Sequence, residues 1–318
     1  VAFIAPEDLL PAAAAVVAIH RDHGDRSDRR HARLKYLIAE KGEEWARAEL
    51  ETRLGKRIAP PAAMPGLVVP DHLGWHEQGD GKLYLGIHVP SGRIRDNDGS
   101  ALRRSALRAV IERFSLPVVL LPTQHMILSH IDPADRPAIE SLLAAHRVPL
   151  AETLPPVERW AMACPALPTC GLALTEAERV REVLISGISG ALAQYGLQEE
   201  KMSIRITGCP NGCARPYAGD IGIVGRMPDH FALFVGGDFE GTRLNFLLLD
   251  RVPQAEVANR LSPLFALFAA ERLEGEGFGD FCHRVGATRL REAGGSESRG
   301  ARDAESREAR DAELREAS

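Results

Sequence analysis

The sequence predicts an α+β fold, in which a β-α-β-α unit precedes a lobe built from one helix and several strands. Three observations support this prediction. Residues 82–147 alternate between strand-like and helix-like hydrophobic spacing. A helical pattern at 175–196 precedes four strand-like segments, at 202–207, 220–226, 230–237 and 243–250. Two loops rich in Pro and Gly, one on each side of this helix, carry two cysteines each.

The first seventy residues have helical spacing at 7–20 and 33–54 and end in a Pro-rich break at 59–66. The apolar stretch at 9–19 is too short to span a bilayer. It follows two acidic residues and lacks the basic flank of a signal peptide. It therefore predicts a buried helix.

The β-α-β-α unit begins with a strand at 82–89, where hydrophobic and polar residues alternate, and continues with a helix at 100–114. The next strand-like segment, 117–131, contains a proline. A helix at 135–147 follows and has Pro137 in its first turn, where proline is tolerated. Together these segments predict a small α+β unit.

The second lobe opens with the helix at 175–196, for which Thr175 and Glu178 form a capping-box pattern and Gly196 is the predicted C-cap. After the four strands, a last helix is predicted from about Gln254 to Leu273. The charged repeat after Gly294 has almost no apolar residues, so we expect it to be disordered or a solvated helix.

Length and composition limit the kinds of protein that this chain can be. The chain has 318 residues, which predicts two or three domains. Its net charge of −5 gives no reason to expect nucleic acid or an anionic membrane as a partner. Five cysteines, an odd number, argue against a disulfide framework. We therefore expect a cytoplasmic protein with reduced thiols.

Four of the cysteines form two close pairs, Cys164 with Cys170 and Cys209 with Cys213. Two loops that the fold brings together would supply four thiolates, the donor set of a metal centre. The spacing alone leaves three interpretations open: buried free thiols, a structural zinc site, or an iron–sulfur cluster. The first pair has five intervening residues, outside the usual zinc pattern, and neither pair matches a ferredoxin.

The segments "ACPALPTCGLAL" (163–174) and "RITGCPNGCARPY" (205–217) resemble the cluster signature of the sulfite and nitrite reductase hemoproteins. "GDRSDRRHARLKY" (24–36) is more similar to the sulfite-reducing branch than to the nitrite-reducing one. The resemblance covers roughly residues 5–290 and includes further blocks at 92–96, 220–225 and 275–286.

The resemblance implies a nitrite/sulfite reductase-like fold, with a ferredoxin-like half-repeat followed by a cluster-binding α/β lobe. Residues 1–70 would be the remainder of a siroheme-binding lobe, and 71–150 the ferredoxin-like half-domain. Residues 151–290 would bind the cluster and siroheme, and 291–318 would be a charged disordered tail.

The resemblance also implies that Cys164, Cys170, Cys209 and Cys213 hold a [4Fe–4S] cluster. The sulfur of Cys213 would bridge this cluster to the siroheme iron, which makes Cys213 the catalytic residue. The implied activity is assimilatory reduction of sulfite to sulfide, a six-electron reaction.

Two further residues complete this part of the expected site, and the fifth cysteine lies outside it. Asn211 and Arg215 are expected to tune the cluster through hydrogen bonds near the sulfurs. Cys282 matches no ligand position, so we expect it to be a buried, small apolar residue.

Siroheme carries eight carboxylates, and the arginine fork pairs with carboxylates in bidentate fashion. The resemblance assigns the basic segment at 21–35 to the siroheme-binding lobe, and helical spacing would put Arg26, Arg29, Arg30 and Arg33 on one face. The expected siroheme contacts are Arg33, Arg29, Arg30 and Lys35. A solvated surface offset by nearby aspartates is the alternative.

Gln124 is a polar residue in an otherwise apolar strand-like segment, and a buried polar group must find a partner. The family has Gln at this position, so we expect Gln124 to face the cofactor. The alternative is a Gln at a strand edge, exposed to water.

Members of the family have two pseudo-symmetric halves, and the cations that grip the substrate anion come mostly from the first. We therefore expect this chain to be a C-terminal fragment that acts on sulfite, or on nitrite, together with the missing N-terminal half. Its expected electron donor is a flavoprotein or a ferredoxin. The alternative is a non-catalytic iron–sulfur protein that transfers electrons without the substrate-binding half.

Overall fold

The computed structural model describes residues 2–62, 66, 68–96 and 101–294. The predicted disordered tail therefore lies, from residue 295 on, outside the described residues. The chain divides into two compact units, residues 1–68 and 69–318. In the described chain, no helix combines the length and the apolar character that crossing a membrane would require.

The first unit is helical in its described residues. The predicted apolar helix forms, and its residues Ala12, Ala15 and Ile19 are buried in a small core shared with Leu37 and Leu50. The helix predicted at 33–54 is instead two helices, because Gly42 takes a φ of +89° between them. The helices are α1 (Leu9–His23), α2 (Leu34–Lys41) and α3 (Glu43–Leu54).

The prediction that four arginines share one helical face was wrong. They lie in the irregular segment between α1 and α2. The side chain of Asp25 accepts the N–H of Ser27 at 2.7 Å, and that of Asp28 accepts the N–H of Arg30 at 2.9 Å. Short Asp side chains compete with helix formation in this way. The four residues are Arg26, Arg29, Arg30 and Arg33.

The second unit begins with a four-stranded antiparallel sheet in the order β1-β2-β4-β3, which packs against two helices. Ala106, Val110 and Ile139 of the helices meet Leu85 and Leu128 of the sheet in one buried core. Its elements are β1 (Gly74–Glu77), β2 (Leu83–Ile87), α4 (Arg103–Phe114), β3 (Val118–Leu120), β4 (Met126–Ile131) and α5 (Arg136–Ala145).

The predicted β-α-β-α unit is present, with two differences. Strand β1 had no recognisable alternation, since it has only four residues. The single segment predicted at 117–131 is a hairpin, β3 and β4, closed by a turn in which the N–H of Gln124 donates to the carbonyl of Leu121 at 3.1 Å. Gln124 has a φ of +69°, so it belongs to this turn and not to a strand.

A five-stranded mixed sheet in the order β5-β6-β7-β8-β9 forms the rest of the second unit. Strands β5, β6 and β7 are parallel to one another, while β8 and β9 are antiparallel to their neighbours. Its elements are α6 (Pro156–Arg159), β5 (Ala161–Ala163), α7 (Arg181–Ala193), β6 (Ile204–Thr207), β7 (Ile221–Met227), β8 (His230–Val235), β9 (Phe246–Pro253), α8 (Val257–Glu271), α9 (Phe278–Val285) and α10 (Ala287–Ala293).

One face of this sheet buries the larger core. Ile204 and Ile206 of β6 pack with Ile188 of α7 and with Phe265 and Phe268 of α8, and all five are fully buried. Neighbouring residues of β6 therefore point to the opposite face, as strand geometry requires. This alternation places the charged side chain of Arg205 on the face opposite to Ile204 and Ile206.

The helix predicted at 175–196 begins later, at Arg181, and the capping-box prediction was wrong. The hydroxyl of Thr175 accepts the N–H of Asp229 at 3.1 Å, and the carboxylate of Glu178 accepts two hydrogen bonds from Arg93 at 2.8 Å. Tertiary contacts therefore occupy both side chains of the proposed box. The helix ends at Ala193 with Gln194 as its C-cap, and Gly196, the predicted C-cap, takes a φ of +70° in the turn that follows.

Candidate metal centre

Two cysteine-bearing loops leave the mixed sheet side by side. Strands β5 and β6 are parallel and aligned so that Ala163 is the partner of Ile206. Cys164 directly follows β5, and Cys209 lies two residues beyond the end of β6. Because the carboxyl ends of parallel strands share one edge of a sheet, the two loops meet there. The N–H of Cys164 still donates to the carbonyl of Ile206, at 3.0 Å.

Gly208 joins the two loops. Its N–H donates to Sγ of Cys164 at 3.3 Å, and its carbonyl accepts the N–H groups of Leu174 and Thr175 at 2.8 and 3.1 Å. A Cβ at this position would lie 2.5 Å from Cβ of Ala166 and 2.6 Å from the carbonyl oxygen of Thr175. Only glycine fits, and it brings a backbone N–H directly to the sulfur of Cys164, a predicted ligand.

The four predicted ligand sulfurs differ in exposure. Cys164 and Cys209 are buried, Cys170 is half-buried, and Cys213 is exposed. Burial raises the pKa of the Cys164 thiol, and the charges of Cys213 and Cys209 raise it further, while backbone N–H groups including that of Gly208 oppose the rise. The three sulfurs therefore interact electrostatically, and a cationic centre would offset their mutual repulsion.

The grouping of these side chains bears on the kind of metal. Within the described ranges, no three or more His, Cys, Asp or Glu side chains are grouped so as to hold one metal ion. A cluster of several irons, each taking one cysteine, separates its ligands more widely than a single zinc ion does. The choice between a cluster and a zinc ion therefore rests on the resemblance of the two cysteine loops to the reductase signature.

Cys213 lies in a tight turn at the tip of the second loop. Gly212 takes a φ of +73°, Arg215 takes a φ of +57°, and the N–H of Arg215 donates to the carbonyl of Gly212 at 2.8 Å. The hydroxyl of Tyr217 donates to the carbonyl of Pro210 at 3.0 Å and closes the loop. This turn presents the sulfur of Cys213 to the outside.

Two guanidinium groups lie next to the first loop, and neither is within ion-pair distance of a described carboxylate, although the charge of Asp220 acts on Arg205. Arg205 contacts Sδ of Met162, and Nη2 of Arg215 donates to the same sulfur at 3.6 Å. Burial, and then the charge of Arg215, lower the pKa of Arg205 to about 10. No ion pair joins either group to a carboxylate in the described part of the chain. Both cations suit a ligand rich in carboxylates, which is the chemistry of siroheme.

Arg205 was not predicted as a site residue. The available signal was a charged side chain in the middle of a short apolar strand, four residues before a cysteine. Asn211 and Arg215 were predicted to bond near the cluster sulfurs. Asn211 is exposed, and the sulfur that Arg215 contacts is that of Met162. Their tuning role stays a prediction.

Gln124 supports the strand that leads into the first loop. Its Nε2 donates to the carbonyl of Ala163 at 2.7 Å, and its Oε1 accepts the N–H of the same residue at 3.2 Å. Since β5 is the edge strand of its sheet, this amide takes the place of a neighbouring strand. It fixes the backbone one residue before Cys164. Contact between Gln124 and siroheme stays a prediction.

The predicted siroheme contacts in the first unit are exposed cations. Arg30 pairs with Asp28 at 3.3 Å, and Nζ of Lys35 lies 4.8 Å from the ring centroid of Tyr36. Neither Arg29 nor Arg33 forms an ion pair with another described residue. Their exposure leaves them free to bind an anion, and their role in binding siroheme stays a prediction.

Cys282 lies apart from these loops, in α9. It is fully buried, and burial raises the pKa of its thiol well above the usual range. The prediction that Cys282 is a small buried residue is confirmed.

Comparison with known proteins identifies similar domains. The model of the family described as "Nitrite and sulphite reductase 4Fe-4S domain" matches residues 1–58 and 158–299. A second model, "Nitrite/Sulfite reductase ferredoxin-like half domain", matches residues 76–146.

Two curated relatives are similar over most of the chain. The sulfite reductase (ferredoxin) of Synechococcus elongatus is 46% identical over 290 residues, which is 91% of this chain and 46% of the relative. The sulfite reductase (NADPH) hemoprotein beta-component of Myxococcus xanthus is 43% identical over 286 residues, 90% of this chain and 51% of the relative. The chain thus spans about half the length of the curated relatives that it matches.

Among solved structures, that of the Mycobacterium tuberculosis NirA protein is similar, with a TM-score of 0.77 and 25% sequence identity. The match covers 91% of this chain and 54% of that one. The 4Fe–4S description of the matching domain and the hemoprotein name of the relative agree with the two predicted cofactors, a [4Fe–4S] cluster and siroheme.

Proposed function

Because the chain belongs to the nitrite and sulphite reductase family, we propose that it holds the cluster and siroheme of an assimilatory sulfite reductase. The predicted family and the predicted α+β fold of nitrite/sulfite reductase type are confirmed. The observation that carries the functional proposal is the meeting of the two cysteine loops at one edge of the mixed sheet, joined at Gly208.

The proposed reaction consumes six electrons. Hydrogen sulfite takes up six electrons and six protons and yields hydrosulfide and three water molecules. When bound, the cluster supplies stored electrons and siroheme supplies the iron at which the sulfur of the substrate is reduced. The chain's own residues must bind these groups, orient them and set the charge around them.

Cys164, Cys170, Cys209 and Cys213 are the proposed cluster ligands, and Cys213 is the proposed bridge to siroheme. Exposure supports this choice, because Cys213 is the exposed one of the four. A sulfur shared by two metal groups needs an open side, which the buried Cys164 and Cys209 lack. The N–H of Gly208 stabilises the thiolate form of Cys164.

Arg205 and Arg215 are the proposed partners for siroheme carboxylates in the second unit, because they are cations beside the cysteine loops with no described carboxylate within ion-pair distance. Arg29, Arg30, Arg33 and Lys35 are the proposed partners in the first unit. Residues 71–150 are the proposed ferredoxin-like half-domain, which the matching family model at 76–146 supports. Residues 1–70 and 151–290 are the proposed parts of the cofactor-binding lobe.

The remaining proposals concern partners and location. The electrons would come from a ferredoxin or from a flavoprotein that uses NADPH, since the similar reductases are named for each of these donors. The substrate cations would come from a first half like that of the longer relatives. Reduced thiols suit the cytoplasm as the site of action.

Turnover tests the proposal. The chain, reconstituted with iron, sulfide and siroheme and combined with a separately expressed first half from a similar reductase, is assayed with reduced methyl viologen and either sulfite or nitrite. We expect sulfide formation that Cys213→Ser abolishes and that Cys282→Ser leaves nearly unchanged. Faster turnover of nitrite than of sulfite would assign the chain to the other branch of the family.

A second candidate function is electron transfer without catalysis. It is favoured by one observation, that the chain covers about half of each similar reductase. Full loading with both cofactors, reversible reduction and no turnover of either substrate would support this candidate. Recovery of turnover on addition of a separately expressed first half from a relative would support the sulfite reductase proposal.

A further inference from the structure

A cavity of about 570 Å³ in the second unit lies beside the start of α7 and has a strongly cationic lining. Among the residues that the structure describes, six arginines and three glutamates line it, so arginine exceeds glutamate by three charges. Apolar walls are contributed by Pro149, Leu154 and Ile185. The six arginines are Arg93, Arg95, Arg103, Arg147, Arg179 and Arg181.

Half of these arginines are already neutralised. Arg93 pairs with Glu178 at 2.8 Å, and Arg181 pairs with Glu158 at 2.7 Å. Arg179 lies 3.8 Å from Glu176.

The other three, Arg95, Arg103 and Arg147, have no carboxylate within ion-pair distance among the described residues. Burial lowers the pKa of Arg103, whose Nε donates only to the carbonyl of His88 at 3.3 Å. The cavity therefore carries an excess of positive charge, which the carboxylates of Glu158, Glu178 and Glu182 offset only in part.

Polar atoms without a partner also line the cavity. His88 is 2% exposed; its Nε2 lies 3.6 Å from Oε1 of Glu158, beyond hydrogen-bond distance, and neither ring nitrogen has a hydrogen-bond partner in the described chain. Oγ of Ser91 is buried and equally without a partner, and Ser91 takes a φ of +53°. Buried polar groups are nearly always satisfied in folded proteins, so these atoms point to a ligand.

Arg147 occupies a backbone position that normally favours glycine. It follows the end of α5 with a φ of +57°, its N–H donates to the carbonyl of Ala144 at 2.9 Å, and the next N–H, of Val148, donates to Leu143 at 2.9 Å. This pattern is the Schellman motif, whose left-handed residue is usually Gly. A side chain at this strained position, facing a cationic cavity, indicates a use for the guanidinium.

We propose that this cavity binds a small organic anion that carries two or more phosphate or carboxylate groups. Arginine forks pair with both groups in bidentate fashion, and the neutral ring of His88 and the hydroxyl of Ser91 can donate further hydrogen bonds. The volume exceeds that of a single oxyanion, and the apolar walls suit the carbon skeleton of such a ligand. The site does not depend on the proposed redox function.

Calorimetric titration of the full chain with pyrophosphate and with citrate, at constant ionic strength, tests this site. We expect saturable binding of at least one probe, with the tighter probe identifying the anionic group. Arg147→Gly should weaken that binding by about tenfold or more. Its melting temperature should not fall, because glycine is the residue that the backbone favours here.

The matched control is Arg108→Ala, which removes an exposed charge from the same unit without touching the cavity lining. It should bind the probe as the unmodified chain does. If Arg108→Ala and Arg147→Gly weakened binding of the probe equally, the effect would come from overall charge and not from this cavity. That result would overturn the proposal. Binding of neither probe would also overturn it. Displacement of the bound probe when siroheme is loaded would overturn the proposal as well, because siroheme would then occupy the cavity.

Discussion

At the scale of single residues, Gly208 determines whether the two cysteine loops can meet. A methyl group here would overlap Ala166 and the backbone of Thr175, neither of which can move far. We expect Gly208→Ala to lower the free energy of unfolding by about 2 kcal/mol or more. It should also reduce iron incorporation, since the hydrogen bond to Cys164 would be displaced.

Gly190 offers the control. It lies inside α7, and a Cβ there would meet nothing within 4 Å. Gly190→Ala should raise the free energy of unfolding by about 0.5–1 kcal/mol, because alanine favours the helix. Urea unfolding and iron analysis of both variants measure these effects. Normal iron content in Gly208→Ala would contradict the proposed role of Gly208.

The second prediction at this scale concerns His88 and the pH dependence of stability. Burial, followed by the charges of His125, Arg181 and Arg103, lowers the pKa of His88 from 6.5 to about 2. Below pH 6.5 the unfolded chain therefore binds a proton that the folded chain does not, and stability falls as the pH falls. Between pH 7.5 and 5.5, His88 should account for a loss of about 1 kcal/mol.

His88→Gln removes this titration. Urea unfolding at pH 7.5 and pH 5.5 should therefore show a smaller loss for His88→Gln than for the unmodified chain. The same pH dependence in both proteins would show that His88 accepts its proton in the folded state.

At the scale of elements, the short edge strand β5 depends on a side chain from the other sheet. Gln124 makes two hydrogen bonds to Ala163, directly before the first cluster ligand. We expect Gln124→Ala to cost about 1–2 kcal/mol of stability and to lower cluster occupancy. Gln198→Ala, at an exposed position, is the control and should change neither. Cluster occupancy and urea unfolding check both variants, and full occupancy in Gln124→Ala would contradict this support.

Elements with a clear hydrophobic period were predicted from the sequence, and elements without one were missed. The helices at α4, α5 and α8 and the strands of the mixed sheet from β6 on were predicted because hydrophobic periodicity runs through each of them. Strand β5 escaped prediction because three residues, Ala161–Ala163, show no period. The capping box failed because Thr175 and Glu178 bond to Asp229 and Arg93, which are distant in sequence. The shared arginine face failed because Asp28 bonds locally to the N–H of Arg30.

The candidate site was predictable in part. Their spacing and their Gly- and Pro-rich flanks marked the four cysteines as candidate metal ligands, while their assignment to a [4Fe–4S] cluster came from the family resemblance and stays a prediction. Arg205 and the cationic cavity were not predicted, because they depend on which side chains lack partners after folding. A local sequence pattern does not show which side chains will lack a partner in the folded chain.

At the scale of the whole molecule, the chain has two units, each with its own core, and it spans about half the length of its curated relatives. Its second unit contains all four predicted cluster ligands. The cluster loops are therefore a property of the second unit.

Mössbauer and EPR spectroscopy of the chain reconstituted with ⁵⁷Fe, sulfide and siroheme test the central claim most directly. The account predicts a four-iron cluster magnetically coupled to the siroheme iron. Cys213→Ser should lose this coupling, and Cys282→Ser should keep it. A chain that takes up zinc and no cluster iron, or a cluster whose coupling to siroheme survives Cys213→Ser, would contradict the account.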